Sequence, residues 1–170
     1  MNAMDSIVSY QAIGIIHTKH KVARQTPIQS VFAQECFGWI ELRSEYVDGL
    51  MDLEGFSHLH LIYHLHEAGP ARMHVTPFLD TQERGLFATR HPCRPNPIGL
   101  SLVELLAVEG AILHLKGVDI LDGSPLLDIK PYVPRFDCRP YARGGWNDAV
   151  DDDLARQRGV RDFKPKPNSE

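Results

Sequence analysis

Between Ala12 and Ile129 apolar side chains recur at alternate positions in short runs, and the runs are cut by glycine, proline and aspartate. Ala12 to His17, Gly38 to Leu42, Ser57 to Leu65, Arg72 to Thr76, Leu100 to Val108, Ala111 to Leu115 and Leu126 to Ile129 each read as a strand bounded by turn residues. Val108-Glu109-Gly110-Ala111, set between two apolar runs, predicts a tight hairpin, and Val47 to Phe56 predicts a short helical turn. No long helical period is present. So many short alternating strands predict an all-β fold. The expected form is a small single-sheeted antiparallel β-barrel with short helical turns and an irregular C-terminal arm, because closure removes exposed strand edges; a sandwich is the alternative.

One stretch interrupts the alternation: Arg90-His91-Pro92-Cys93-Arg94-Pro95-Asn96-Pro97-Ile98-Gly99-Leu100-Ser101. Its three prolines remove three backbone donors and hold φ at about −65°, so the run predicts a stiffened loop, neither helix nor central strand. Two arginines, a histidine and an asparagine on such a loop suit a carboxylate, a phosphate or another polar ligand. Pre-stiffening lowers the entropy lost on binding.

Composition narrows the class. With 170 residues, 43% hydrophobic and 24% charged, the chain is most simply one domain able to bury a core. From Asp137 onward the residues turn charged and polar, with Gly144-Gly145, Asp151-Asp152-Asp153 and a Lys164-Pro165-Lys166-Pro167 end, so 1–137 reads as the barrel and 138–170 as an arm or tail. Trp146 predicts that part of the arm docks, on its own protomer or on a partner. Cys36, Cys93 and Cys138 are odd in number and far apart, which predicts reduced thiols. Met1 to Tyr10 lacks a signal pattern and no run approaches a membrane span, so the expectation is a soluble, cytoplasmic protein. A formal charge of −4 excludes nucleic-acid binding by bulk electrostatics. Lys19, His20, Lys21 and Arg24, with Arg135, Arg139 and Arg143, form either a modest local basic patch or an ordinary solvated surface.

A second chemical cluster runs from Asp119 to Tyr132. Asp122-Gly123-Ser124-Pro125 is a turn by its own chemistry, and the alternation that follows puts Asp128 and Lys130 on one strand face, as a solvated ion pair or as part of a pocket wall. His58, His60, His64 and His66 share one parity, but alternate strand residues stand roughly 7 Å apart and no carboxylate follows at ligand spacing. No metal site is expected; these histidines read as partly buried groups lining a barrel face.

Phe56-Ser57-His58-Leu59, Phe87-Ala88-Thr89-Arg90, Arg94-Pro95-Asn96-Pro97-Ile98-Gly99-Leu100-Ser101, and Asp122-Gly123-Ser124-Pro125 with Asp128-Ile129-Lys130-Pro131-Tyr132 resemble the signature blocks of the TrmO/TsaA-like family, in order and spacing, from about Ala12 to Pro134. The resemblance implies a small β-barrel that binds S-adenosylmethionine as a homodimer. It also implies methylation of the exocyclic amine of adenosine 37 of tRNA, on a base that already carries a threonylcarbamoyl group. Carried over residue by residue, the cofactor site falls on Pro27, Ile28 and Gln29, on His66 and Glu67, on Arg90, on Leu100, and on Asp122, Gly123, Ser124 and Pro125. Arg90 suits a carboxylate or phosphate, or else braces the loop; Asp122 or Glu67 suits ribose hydroxyls or an ammonium group, and Leu100 an adenine face.

Methyl transfer from a sulfonium asks mainly for positioning, and a group that accepts a hydrogen of the weakly nucleophilic amine would help. Asn96, between two prolines, either supplies that acceptor or caps the turn. Lys130 and Tyr132, with Asp128 beside them, are the expected substrate contacts, a phosphate for the ammonium and a base for the ring. The longer bacterial members of the family continue with a second C-terminal domain, whereas this sequence ends at residue 170, so a tRNA-gripping surface is expected to be missing. The alternatives are methylation of another RNA or of a small molecule, or a non-catalytic cofactor-binding module.

Overall fold

The computed structural model describes residues 6–159; the Lys164-Pro165-Lys166-Pro167 stretch and the first five residues of the Met1 to Tyr10 stretch lie outside them. Along the chain the strands are β1 (Gly14–Thr18), β2 (Phe37–Leu42), β3 (His58–His64), β4 (His74–Val75), β5 (Arg84–Gly85), β6 (Ile98–Glu109), β7 (Ile112–Lys116) and β8 (Ser124–Pro131). Six of them close into an antiparallel barrel in the order β1-β2-β7-β6-β3-β8, and β4 pairs with β5 apart from it.

Alternation decides which way each strand faces. Leu59, Leu61 and Tyr63 of β3 point inward, while His58, His60, Ile62 and His64 stand on the outer wall. The inward set packs with Ile16, Ile40, Val103, Leu113, Leu115 and Leu126 into one core, and each such side chain contributes roughly 1.5–3 kcal/mol by leaving water. The hairpin from β6 to β7 closes at Glu109↔Ile112, and Gly110 supplies the positive φ of 61° that the turn needs. The register slips by a residue near Leu105 and Ala107 of β6 and between Ile62 and Tyr63 of β3, the irregularities by which a small sheet curves into a barrel.

Several boundaries differ from the sequence reading. β6 starts at Ile98, directly after Pro97 and two residues ahead of the strand predicted from Leu100; the loop ends at Pro97, whose carbonyl accepts from Leu65 N at 2.8 Å. β8 runs on through Pro131 and includes Pro125, which precedes the first β3 pair at Leu126 and so has no ladder bond to give on that side. Arg72 to Thr76 yields only the two residues of β4, and its partner β5 carries no apolar pattern that would announce it. The predicted helical turn is two short turns, Ser44–Leu50 and Leu53–Gly55, separated by Asp52 at φ 66°. His66 lies past the end of β3, not on it.

After β8 come α1 (Pro134–Asp137), a turn at Gly145–Ala149 and α2 (Asp152–Gly159). The arm docks on its own chain. Trp146 Nε1 donates to Ala88 O at 2.8 Å, and Ile28 N donates to Gly159 O at 3.0 Å. Cys36, Cys93 and Cys138 form no disulfide. Among the described residues no helix is long and apolar enough to cross a membrane.

Candidate functional site

At one end of β3 the chain leaves the barrel and β6 enters it, and here a cleft of about 800 Å³ opens between the 23–29 loop, Leu65 to Gly69, the 89–94 loop and residues 119–124. Its floor is Tyr63 lying across Gly99, its partner in the β3–β6 ladder. A Cβ at position 99 would stand 2.3 Å from Tyr63 Cζ, so only glycine leaves room for the ring. The Tyr63 hydroxyl bonds Ser101 Oγ at 3.1 Å and fixes the ring's depth.

Eight of the eleven residues expected at a cofactor site line this cleft: Pro27, Ile28, Gln29, His66, Glu67, Arg90, Leu100 and Ser124. They come from separate segments of sequence that only the fold brings together. Arg90 Nη1 donates to Gln29 Oε1 across the cleft, and among the described residues Arg90 has no carboxylate partner. The loop is instead braced by Arg94, whose Nη1 donates to Thr89 O at 2.9 Å and His91 O at 3.4 Å. Ser124 donates its hydroxyl to Leu121 O at 2.8 Å, so in its 3.2 Å contact with His66 Nδ1 the imidazole is the donor.

Asp122, Gly123 and Pro125 do not line the cleft. The Asp122 carboxylate accepts from Thr18 N at 2.9 Å and meets Lys21 Nζ at 2.6 Å, with His17 Nδ1 3.8 Å away. Partial burial would raise its pKa, but the Lys21 and Thr18 hydrogen bonds and the Lys21 and His17 charges outweigh that and hold the carboxyl below its ordinary value. The acid of this segment that does reach the cleft, beside Glu67 from the other wall, is Asp119, three positions earlier. It falls between Val118 and Ile120, both buried in the core, and no turn motif marks it.

The remaining expected residues lie elsewhere. Asn96 is exposed on the proline loop outside the cleft lining; its backbone carbonyl accepts from Ile98 N at 2.8 Å, and its side-chain amide takes no hydrogen bond among the described residues. Asp128 and Lys130 form a 2.8 Å ion pair on the outer face of β8, and Tyr132 sets its edge against His58 and His60, 6.4 and 5.6 Å between ring centres. Among the described residues no three His, Cys, Asp or Glu side chains converge as metal ligands would. His20 is buried, its imidazole pKa lowered by desolvation first and by Lys19 second against a smaller opposing bond to Val118, so it belongs to no surface patch.

A second, larger groove of about 1730 Å³ adjoins the cleft and shares Arg24, Ile28, Gln29, Thr89, Arg90 and Leu100 with it. Its other wall includes Trp146 and Arg156 of the arm, and its lining takes in His60 and Leu102 of the outer barrel wall. This volume exceeds the roughly 300–1,000 Å³ of a small-molecule pocket.

Comparison with known proteins bears on the whole arrangement. Residues 15–138 match the tRNA-methyltransferase O N-terminal domain family. Over 140 residues the chain is 49% identical to a probable S-adenosyl-L-methionine-binding protein of Pyrococcus abyssi (strain GE5 / Orsay), covering 82% of this chain and 76% of that protein. It is 36% identical to the tRNA (adenine(37)-N6)-methyltransferase of Escherichia coli (strain K12) over 151 residues, which are 83% of this chain but 64% of that enzyme. The crystal structure of TrmO from Pseudomonas aeruginosa matches with a TM-score of 0.76 at 31% identity, over 96% of this chain and 86% of that one. With a matching domain that runs through every strand of the barrel and a solved relative of the same shape, the chain belongs to the tRNA-methyltransferase O family.

Proposed function

We propose that this protein is an S-adenosylmethionine-dependent methyltransferase that acts on the exocyclic amine of adenosine 37 in tRNA, on a base already carrying threonylcarbamoyl, in the cytoplasm. The observation that carries the reading is the convergence of Pro27, Ile28, Gln29, His66, Glu67, Arg90, Leu100 and Ser124 on one cleft of about 800 Å³. The donor chemistry of that cleft fits the cofactor. Arg90, without an acid partner, suits a carboxylate; Glu67 and Asp119 suit an ammonium group and ribose hydroxyls; Pro27, Ile28 and Leu100 offer apolar walls to a flat base.

When bound, S-adenosylmethionine supplies an electrophilic methyl group on a sulfonium. The chain's own task is to hold donor and acceptor in line and to keep water out. Gln29, Arg90 and Leu100 form the boundary between cleft and groove, so an adenosine arriving through the groove meets the cleft there. His66, which lines the cleft, is the residue whose imidazole would take a hydrogen of the amine. Asn96 remains the alternative acceptor: if Asn96→Ala binds cofactor normally and transfers methyl at the wild-type rate, that role is lost. Asp122, Gly123 and Pro125 support the cleft through the turn that holds Ser124, and Asp128, Lys130 and Tyr132 belong to the outer wall where RNA would lie.

We also propose a homodimer. Val31, Phe78, Ile98 and Leu100 are exposed on the single chain around the groove and cleft, and a second copy would cover them. Light scattering of the purified protein should give twice the chain mass; a monomer at micromolar concentration would contradict it. The reaction is tested by incubating the protein with radiolabelled cofactor and unfractionated tRNA. Label in RNA is expected. Cofactor binding without transfer to tRNA would leave a binding module or another acceptor.

A further inference from the structure

Six of the fifteen lysines and arginines among the described residues pair with an acid where they stand. Lys21 meets Asp122, Arg43 meets Glu45, Arg84 meets Asp80, Lys116 meets Glu35, Lys130 meets Asp128 and Arg156 meets Asp153. The segment 134–143 gathers three of the others within ten residues. Arg135, Arg139 and Arg143 are all exposed and have no ion-pair partner among the described residues; the one bond given to Arg139 is to the carbonyl of its neighbour Cys138, at 2.8 Å. The segment's acid, Asp137, is turned away from them: it accepts from Val133 N at 2.7 Å and stands 3.9 Å from His60.

Two large aromatic rings are interleaved with these guanidiniums, and both face water: Phe136 is 65% and Tyr141 97% exposed. Leaving bare rings in solvent beside unpaired arginines gains nothing for the fold. A ligand that presents flat faces and negative charge at short spacing satisfies both, and a single-stranded RNA segment does so, with bases stacking on the rings and phosphates meeting the planar guanidiniums.

We propose that residues 134–143 form an RNA-gripping surface that holds unpaired nucleotides of the substrate tRNA. The proposal rests on the methyltransferase reading above and assigns a role to a segment that straddles the end of the matched domain at residue 138. The position is apt. Asp137 and Tyr132 lie against His60 on the outer wall, His60 lines the larger groove, and the arm then runs to Trp146, which bonds Ala88 two residues before Arg90. RNA held by this segment therefore lies at the groove that leads to the cleft.

The test is binding of a tRNA transcript containing adenosine 37, read by fluorescence anisotropy over a salt series. Three variants join the wild type: R135A/R139A/R143A, F136A/Y141A and R135K/R139K/R143K. Because all five side chains are exposed, thermal melts and cofactor binding are expected to be unchanged. The triple alanine variant should bind RNA at least tenfold more weakly and lose about 2 from the slope of log K against log salt, at roughly 0.7 per phosphate contact. The double variant should lose affinity with its slope intact, and the lysine variant should recover the slope. In the transfer assay the triple alanine variant should raise KM for tRNA and leave kcat within a few-fold. Wild-type RNA affinity and slope in that variant would overturn the proposal, as would intact RNA binding with conversion to monomers, which would mean that a second copy uses this surface. A wild-type protein that neither binds nor methylates tRNA overturns the parent reading with it, whereas one that methylates tRNA with an unchanged KM in the triple alanine variant overturns the surface alone.

Discussion

Gly99→Ala adds one methyl group where the fold has no room for it. The new Cβ would stand 2.3 Å from Tyr63 Cζ, 2.4 Å from Cε2 and 2.8 Å from Cε1, against a ring that is only 7% exposed and tied to Ser101. Backbone holds the methyl in place, so the ring must yield. Overpacking of this kind costs about 1–3 kcal/mol, and loss of the buried Tyr63–Ser101 bond adds about 1 kcal/mol. A total of roughly 2–4 kcal/mol corresponds to a fall in Tm of about 5–15 °C for a chain of this size. The ring can escape only toward the cleft it floors, so cofactor affinity should fall as well. Urea unfolding and calorimetric titration with S-adenosylmethionine on the same preparations measure both effects. Tyr63→Phe, which keeps the ring and removes the hydroxyl, should cost only about 1 kcal/mol and leave binding nearly intact. If Gly99→Ala matched the wild type in urea midpoint and in affinity, the description of the cleft floor would be wrong.

Arg90→Ala should weaken cofactor binding by roughly 10- to 150-fold, the loss of a charge-assisted contact of about 1.5–3 kcal/mol, with little change in Tm, whereas Asp122→Asn should lower Tm and leave affinity within a few-fold; calorimetry and thermal melts separate the two. The His20 imidazole has a pKa lowered in the folded state from an ordinary 6.5, so the unfolded chain binds the proton more readily. Its contribution to stability is whole above that value and is lost as pH falls below it toward the folded pKa; urea midpoints between pH 8 and pH 5 should decline, and His20→Gln should flatten the decline. Trp146→Phe removes the indole donor to Ala88 O and keeps most of the ring, so it should cost about 1 kcal/mol and, by loosening the Ala88 to Arg90 segment, raise the Kd for cofactor; an unchanged Kd would mean that the arm does not position that segment.

The barrel was legible in the sequence because its strands alternate: one face of β2, β3 and β7 buries and the other does not, so the period-two pattern carries both the element and its orientation. β4 and β5 were poorly legible because two-residue strands outside the barrel bury too little to leave a pattern. The start of β6 lies two residues ahead of the predicted Leu100 because Pro97, which reads as an end to regular structure, stands just before the ladder and contributes a carbonyl to Leu65. At the site, motif reading found the segments better than the atoms. Arg90 and Ser124 reach the cleft, but Asp122, the acid of the conspicuous turn, is held by Thr18 and Lys21, and Asp119 enters in its place. Which of two nearby acids faces a cleft depends on pairings more than a hundred residues apart, such as that of Thr18 with Asp122, and no local pattern encodes them.

The central claim is methylation of the modified adenosine, and nucleoside mass spectrometry tests it most directly. tRNA from cells lacking the final methyl group is incubated with this protein and S-adenosylmethionine, digested and compared with an untreated sample. The account predicts a gain of one methyl on threonylcarbamoyl-adenosine, abolished in Arg90→Ala at limiting cofactor. An unchanged nucleoside profile from a preparation that binds S-adenosylmethionine in the same buffer would contradict it.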